Sequence, residues 1–89
     1  MLFMVIEKFK DRKLVGERFA SQGRMLPEGV TYHASWVEAA GKRCFQIMEA
    51  PNQDSLKSWV NLWEDLIDFE TVPVVPSREF WARAERERN

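Results

Sequence analysis

Cysteine, histidine and tyrosine each occur once in these 89 residues, and glycine only four times. Each scarcity removes a class of function. The lone Cys44 excludes an internal disulfide and any multi-cysteine metal site, and it fits a reducing compartment. With a single His33 and scattered carboxylates, no recognised metal-ligand spacing exists, so no metal is expected. The glycines at 16, 23, 29 and 41 match neither a dinucleotide fingerprint nor a phosphate loop, and no cofactor is expected. The opening run Leu2-Phe3-Met4-Val5-Ile6 lacks a basic leader and runs into charged residues, so it reads as neither a signal peptide nor a membrane span. Surplus positive charge is also missing. With a net charge of −1 and a pI of about 5.8, no global field attracts nucleic acid or acidic lipid. The expectation is a cytoplasmic chain with no nucleic-acid or membrane partner.

What the chain does have is apolar and aromatic material: 45% of its residues are hydrophobic, with four Trp and six Phe, against 30% charged. That composition folds, and the length suits one domain spanning residues 1–89. Small domains bury only about 60 to 65% of their unfolded surface. This aromatic content therefore exceeds the needs of a lone small core, and part of it is expected against a partner.

Leu2 to Phe9 reads as a strand covered on both faces, because the alternating sets Leu2, Met4, Ile6 and Phe3, Val5 are both apolar. Asp11 is placed to cap a helix running through Gln22, with Leu14, Val15 and Phe19 inward and Gly23 at the left-handed C-terminal position. Leu26-Pro27-Glu28-Gly29 then predicts a turn with Pro at its second position and Gly at its end. Val30 to Ala39 and Lys42 to Ala50 form a hairpin around Ala40-Gly41. With those two residues central, Glu38 opposes Arg43, Trp36 opposes Phe45 and Ala34 opposes Ile47. One face of the hairpin is then aromatic and aliphatic. The other carries His33, Ser35, Val37, Cys44, Gln46 and Met48, provided that the register is not shifted by a longer loop. Leu56, Trp59, Val60, Trp63, Leu66 and Ile67 keep helical spacing and predict a helix over Asn52 to Asp68. Phe69 to Val75 has strand composition, and Pro73 marks it as an edge strand. Ser77 opens a short last helix whose Phe80, Trp81 and Ala84 form a narrow stripe before a charged tail that is expected to fray.

This order predicts an α+β fold: a ferredoxin-like β-α-β-β-α-β plate, with a four-stranded antiparallel sheet, both helices on one face, and a short C-terminal helix. The other sheet face is left bare, yet the strands supply apolar residues to both sides. A second copy, sheet against sheet, is the expected cover, since closed two-fold dimers are the commonest assemblies.

The opening Met1-Leu2-Phe3-Met4-Val5-Ile6, the Gly23-Arg24-Met25-Leu26-Pro27-Glu28-Gly29 turn, the Arg43-Cys44-Phe45-Gln46-Ile47-Met48-Glu49 strand and the Phe69-Glu70 to Pro73-Val74-Val75 end resemble a family of small bacterial proteins of unknown function. That family is similar to the dimeric α+β barrel superfamily, which also holds cofactor-independent monooxygenases, haem-degrading enzymes and muconolactone-type isomerases. The resemblance implies the fold and a homodimer. No catalytic motif of those enzymes stands here in matching positions, so no catalytic residue is carried over.

A pocket is expected between the sheet and its cover, with His33, Ser35, Cys44, Gln46 and Met48 as ligand-binding candidates for a small apolar molecule. His33 is the one candidate general base, because its unperturbed pKa lies near neutrality, with Gln46 or Ser35 polarising a bound carbonyl. Cys44 is read as a small core hydrophobe rather than a nucleophile, because no second histidine stands ready to activate it. Tyr32, Trp36, Trp59 and Trp63 offer an apolar ligand slot, although helical and strand spacing already explains them as core, and Arg24 offers a carboxylate or phosphate contact against the plainer reading of a solvated residue or a pair with Glu28. The RNA-recognition module shares this element order, but its third strand needs aromatics where Cys44 and Gln46 stand, and the chain is acidic. Two functions stay open: a small-molecule-binding or cofactor-independent enzyme dimer, and a non-enzymatic dimerisation or regulatory module whose lumen is filled.

Overall fold

The computed structural model describes residues 1–88. Strands and helices follow in the order β1 Leu2–Phe9, α1 Arg12–Gln22, β2 Thr31–Val37, β3 Arg43–Glu49, α2 Gln53–Val60, β4 Ile67–Val74 and α3 Ser77–Arg88. The strands form one antiparallel sheet in the order β2-β3-β1-β4, the ferredoxin-like plate, with α3 appended. Pro73 sits on β4 at the sheet margin, where the outer edge needs no backbone donor.

The hairpin keeps its expected register. Trp36 opposes Phe45, Ala34 opposes Ile47, and the Glu38 amide donates to the Arg43 carbonyl at 2.8 Å. The Arg43 guanidinium also meets the Glu38 carboxylate at 3.0 Å. Gly41 takes φ +75°, a conformation that β-carbon crowding disfavours for other residues. Closer to the start of β2 the pairing slips at a bulge, so that Tyr32 opposes Met48 and His33 stands out of the ladder.

Three expectations are corrected. The turn after α1 falls one residue later than predicted: Val30 donates to the Pro27 carbonyl at 3.2 Å, with Gly29 at φ +85° in the third position. The second helix ends at Val60 instead of running to Asp68. Beyond it the chain tightens into three-residue turns, with Leu62, Trp63 and Leu66 donating to the carbonyls of Trp59, Val60 and Trp63. Ile67 is thereby freed to pair with Phe9 and start β4. Helical periodicity persisted in the sequence because Trp63 and Ile67 still point into the core from turn and strand. Third, several residues expected in the core lie outside it: Leu14 and Phe19 of α1 and Trp36 of β2 are largely exposed, and α1 buries none of its residues.

The core is accordingly lopsided. Phe3 and Val5 from β1, Met48 from β3, and Leu56 and Trp59 from α2 are almost fully enclosed. Both indole N–H groups of Trp59 and Trp63 donate to the Arg24 carbonyl, at 2.9 and 3.0 Å, which ties the segment after α1 to α2 and the turns beyond it. With so little burial, α1 depends on its ends: Asp11 accepts from the Leu14 amide at 3.1 Å, and Gly23 (φ +66°) closes the other end. Replacing Asp11 with Ala should cost about 1 kcal/mol in urea unfolding and raise amide exchange within α1 before that of β1 and β3.

Candidate functional site

Under α1 the layers do not meet, and a cavity of about 230 Å³ lies between the helix and one end of the sheet. Its floor comes from three strands that alternate in step. Glu7 and Phe9 of β1, Cys44 and Gln46 of β3, and Ser35 and Val37 of β2 face the same side, because Glu7 opposes Cys44, Ser35 opposes Gln46 and Val37 opposes Cys44. Val15, Gly16 and Phe19 of α1 form the roof, Trp59 and Trp63 the inner wall, and Arg24 the mouth. The lining is apolar apart from a few convergent polar groups, the usual character of a small-molecule site.

Gly16 sits mid-helix without a positive φ, and a β-carbon there would meet no atom within 4 Å. Glycine at this position leaves the roof open over the cavity, while costing the helix about 1 kcal/mol relative to alanine.

Glu7 is the central polar group. It is only 4% exposed and accepts a hydrogen bond from the Gln46 side-chain amide. Burial pushes its carboxyl up to about 7, since removing a carboxylate from water disfavours the charged form, while the Arg24 guanidinium pulls in the opposite direction and offsets only part of the rise. Glu7 thus exchanges its proton in the neutral range without any histidine. Gln46 Oε1 is buried with no hydrogen-bond partner among the described residues, an acceptor left open beside the carboxyl.

Arg24 lies over the Tyr32 ring at 3.6 Å and over Phe19 at 5.2 Å, an aromatic seat that holds a cation near the cavity without neutralising it by a carboxylate. The Tyr32 and Ser35 hydroxyls are hydrogen-bonded to each other at 2.7 Å. Burial, and then the charge of Glu7, push the Cys44 thiol up to about 11, which leaves it protonated at neutral pH and a poor nucleophile.

Of the residues singled out from sequence, Ser35, Cys44 and Gln46 come together in this cavity and Arg24 joins them, but on the helix-covered side of the sheet, not on the bare side where a second copy was expected to close a pocket over them. Met48 is fully enclosed in the core next to them. His33, displaced by the bulge, instead places Nε2 2.8 Å from Glu49 Oε1 at an exposed position. Glu7 does not stand out in sequence, because the apolar run of β1 hides it; its signal is the alternation Phe3, Val5, Glu7, Phe9, which sets one carboxylate among residues destined for the covered face.

Among the described residues, no cluster of three or more His, Cys, Asp or Glu side chains is placed to hold a metal ion, and no helix is long and apolar enough to cross a membrane. Neither the curated proteins nor the solved structures contain a match to this chain. A family model does match, over residues 1–87, and the chain belongs to that family, the "Domain of unknown function (DUF3303)".

Proposed function

We propose that the chain is a homodimeric small-molecule-binding protein of cofactor-independent chemistry, in which Glu7 exchanges a proton with a small, mostly apolar ligand held under α1. The observation that carries this reading is a buried carboxyl, with its pKa raised to about 7, facing an open cavity instead of an ion-pair partner. The ligand's apolar body lies against Phe19, Trp59 and Trp63, and a hydroxyl or N–H of the ligand satisfies Gln46 Oε1. When Glu7 takes a proton from the ligand it becomes the neutral acid that its burial favours, and the negative charge left on the ligand lies within the field of Arg24. In this reading the second copy covers the bare face of the sheet, and the pocket lies within each subunit on the other face. The alternative of a dimerisation module with a filled lumen has the cavity against it.

Gly16 provides the test. A Gly16→Leu chain should unfold about 0.5–1 kcal/mol later in urea, because glycine is a poor helix former, while its side chain enters the cavity. Saturable binding of 2-naphthol, followed by the probe's fluorescence, should then be lost in Gly16→Leu and present in the parent chain. Equal binding by the two proteins would remove the cavity as the site. For binding by the parent chain, the pH profile should show a single ionisation near 7 that Glu7→Gln abolishes.

A further inference from the structure

α3 is attached to the fold without being packed on it. None of its residues is buried, Phe80 is 48% and Trp81 66% exposed, and these two rings meet edge-on at 5.1 Å. The molecule extends 53 Å along its longest axis with a radius of gyration of 15.2 Å, whereas a compact chain of this length has about 12 Å. An unpacked helix of twelve residues is marginal in water, and adjacent exposed Phe and Trp are groups that binding interfaces favour.

The face of the sheet turned away from α1 and α2 is equally short of a cover. Met4, Ile6, Phe45, Ile47, Val72 and the 61%-exposed Trp36 lie on it, opposite in alternation to the core residues Phe3, Val5 and Met48. Four strands about 4.8 Å apart and roughly 25 Å long project an area of about 480 Å². A stable interface needs about 800 Å² per partner. One face of α3, about 18 Å by 10 Å, adds roughly 180 Å² in projection, and side-chain relief carries the sum toward that requirement.

We propose that α3 is an intermolecular clasp, and that in a dimer of facing sheets its Phe80 and Trp81 seat on the rim of a second copy of this chain. The inference rests on the homodimer named above and adds the role of α3. With the two-fold axis along the strands, the β4 margin lies over the partner's β2, and the end of β4 from which α3 continues lies over the β2 end that begins at Thr31.

Deuterium exchange of the 77–88 segment, measured at high micromolar concentration and after dilution, tests the clasp together with sedimentation of the parent chain and a Phe80→Ala/Trp81→Ala double variant. The parent should be a dimer whose α3 amides are protected only when concentrated, and the variant should dissociate about thirtyfold more readily with an unaltered circular dichroism spectrum in the dilute state. A dimer in which α3 exchanges equally fast at both concentrations, or in which the double variant associates like the parent, overturns the clasp and leaves sheet pairing standing. A parent chain that stays monomeric when concentrated overturns both.

Discussion

Glu7→Gln should remove most of the pH dependence of stability between pH 4.5 and 7 and make the protein more stable at pH 8 by on the order of 2–3 kcal/mol. The sign follows from proton counting. A carboxyl whose pKa is raised from its ordinary value of 4.5 to about 7 in the folded chain binds more protons folded than unfolded throughout that window. The stability present below pH 4.5 is therefore lost progressively as pH rises, and the loss is complete once the folded carboxyl has ionised above about 7. A glutamine cannot ionise, so its curve lacks this decline, although its buried amide still needs a partner. Subtracting the variant's urea unfolding curve from the parent's across pH 5 to 8.5 isolates the contribution of Glu7 from every other titrating group. Parallel curves would mean that the carboxyl is hydrated in solution, and the proton-exchange role would fall with that result.

The second large effect belongs to Trp59. This side chain is almost completely enclosed, meets Phe69 edge-to-face at 5.6 Å, and donates to the Arg24 carbonyl. Trp59→Ala should cost about 3–5 kcal/mol, from lost transfer energy plus the cavity left behind. A domain of this size is stable by only about 5–10 kcal/mol, so the variant should be partly unfolded at 37 °C. The Arg24 carbonyl keeps the Trp63 indole as a donor, so the cost comes from packing and not from an orphaned acceptor. Trp59→Phe should accordingly recover most of the loss. Denaturant midpoints for the two variants make the comparison, and equal losses in both would place the energy in the hydrogen bond instead.

The difference between these two residues shows what was legible beforehand. Trp59 lies in a helical pattern with Leu56 and Val60, and its burial could be read from spacing alone. The end of that helix could not, because Trp63 and Ile67 continue the same period while serving a turn and a strand. Ser35, Cys44 and Gln46 were placed on one face by hairpin alternation, and the structure gathers them in one cavity. His33 obeyed the same count on paper but stands at a bulge, and a bulge depends on how β2 meets β3 along its whole length.

From its sequence alone this chain determined the order of its elements, the register of the hairpin at Trp36–Phe45 and Ala34–Ile47, the helix ends at Asp11 and Gly23, and the marginal position of β4. Those features rest on alternation, turn chemistry and capping, which act between residues close along the chain. The tertiary structure alone decided that α1 stands off the sheet, that Gly16 leaves space beneath it, that Glu7 faces that space with a raised pKa, and that α3 lies unpacked. Desolvation is the reason: the surroundings of Glu7 are assembled from β2, β3, the segment after α1 and the Trp59–Trp63 wall, and no local pattern in β1 encodes how much water they exclude.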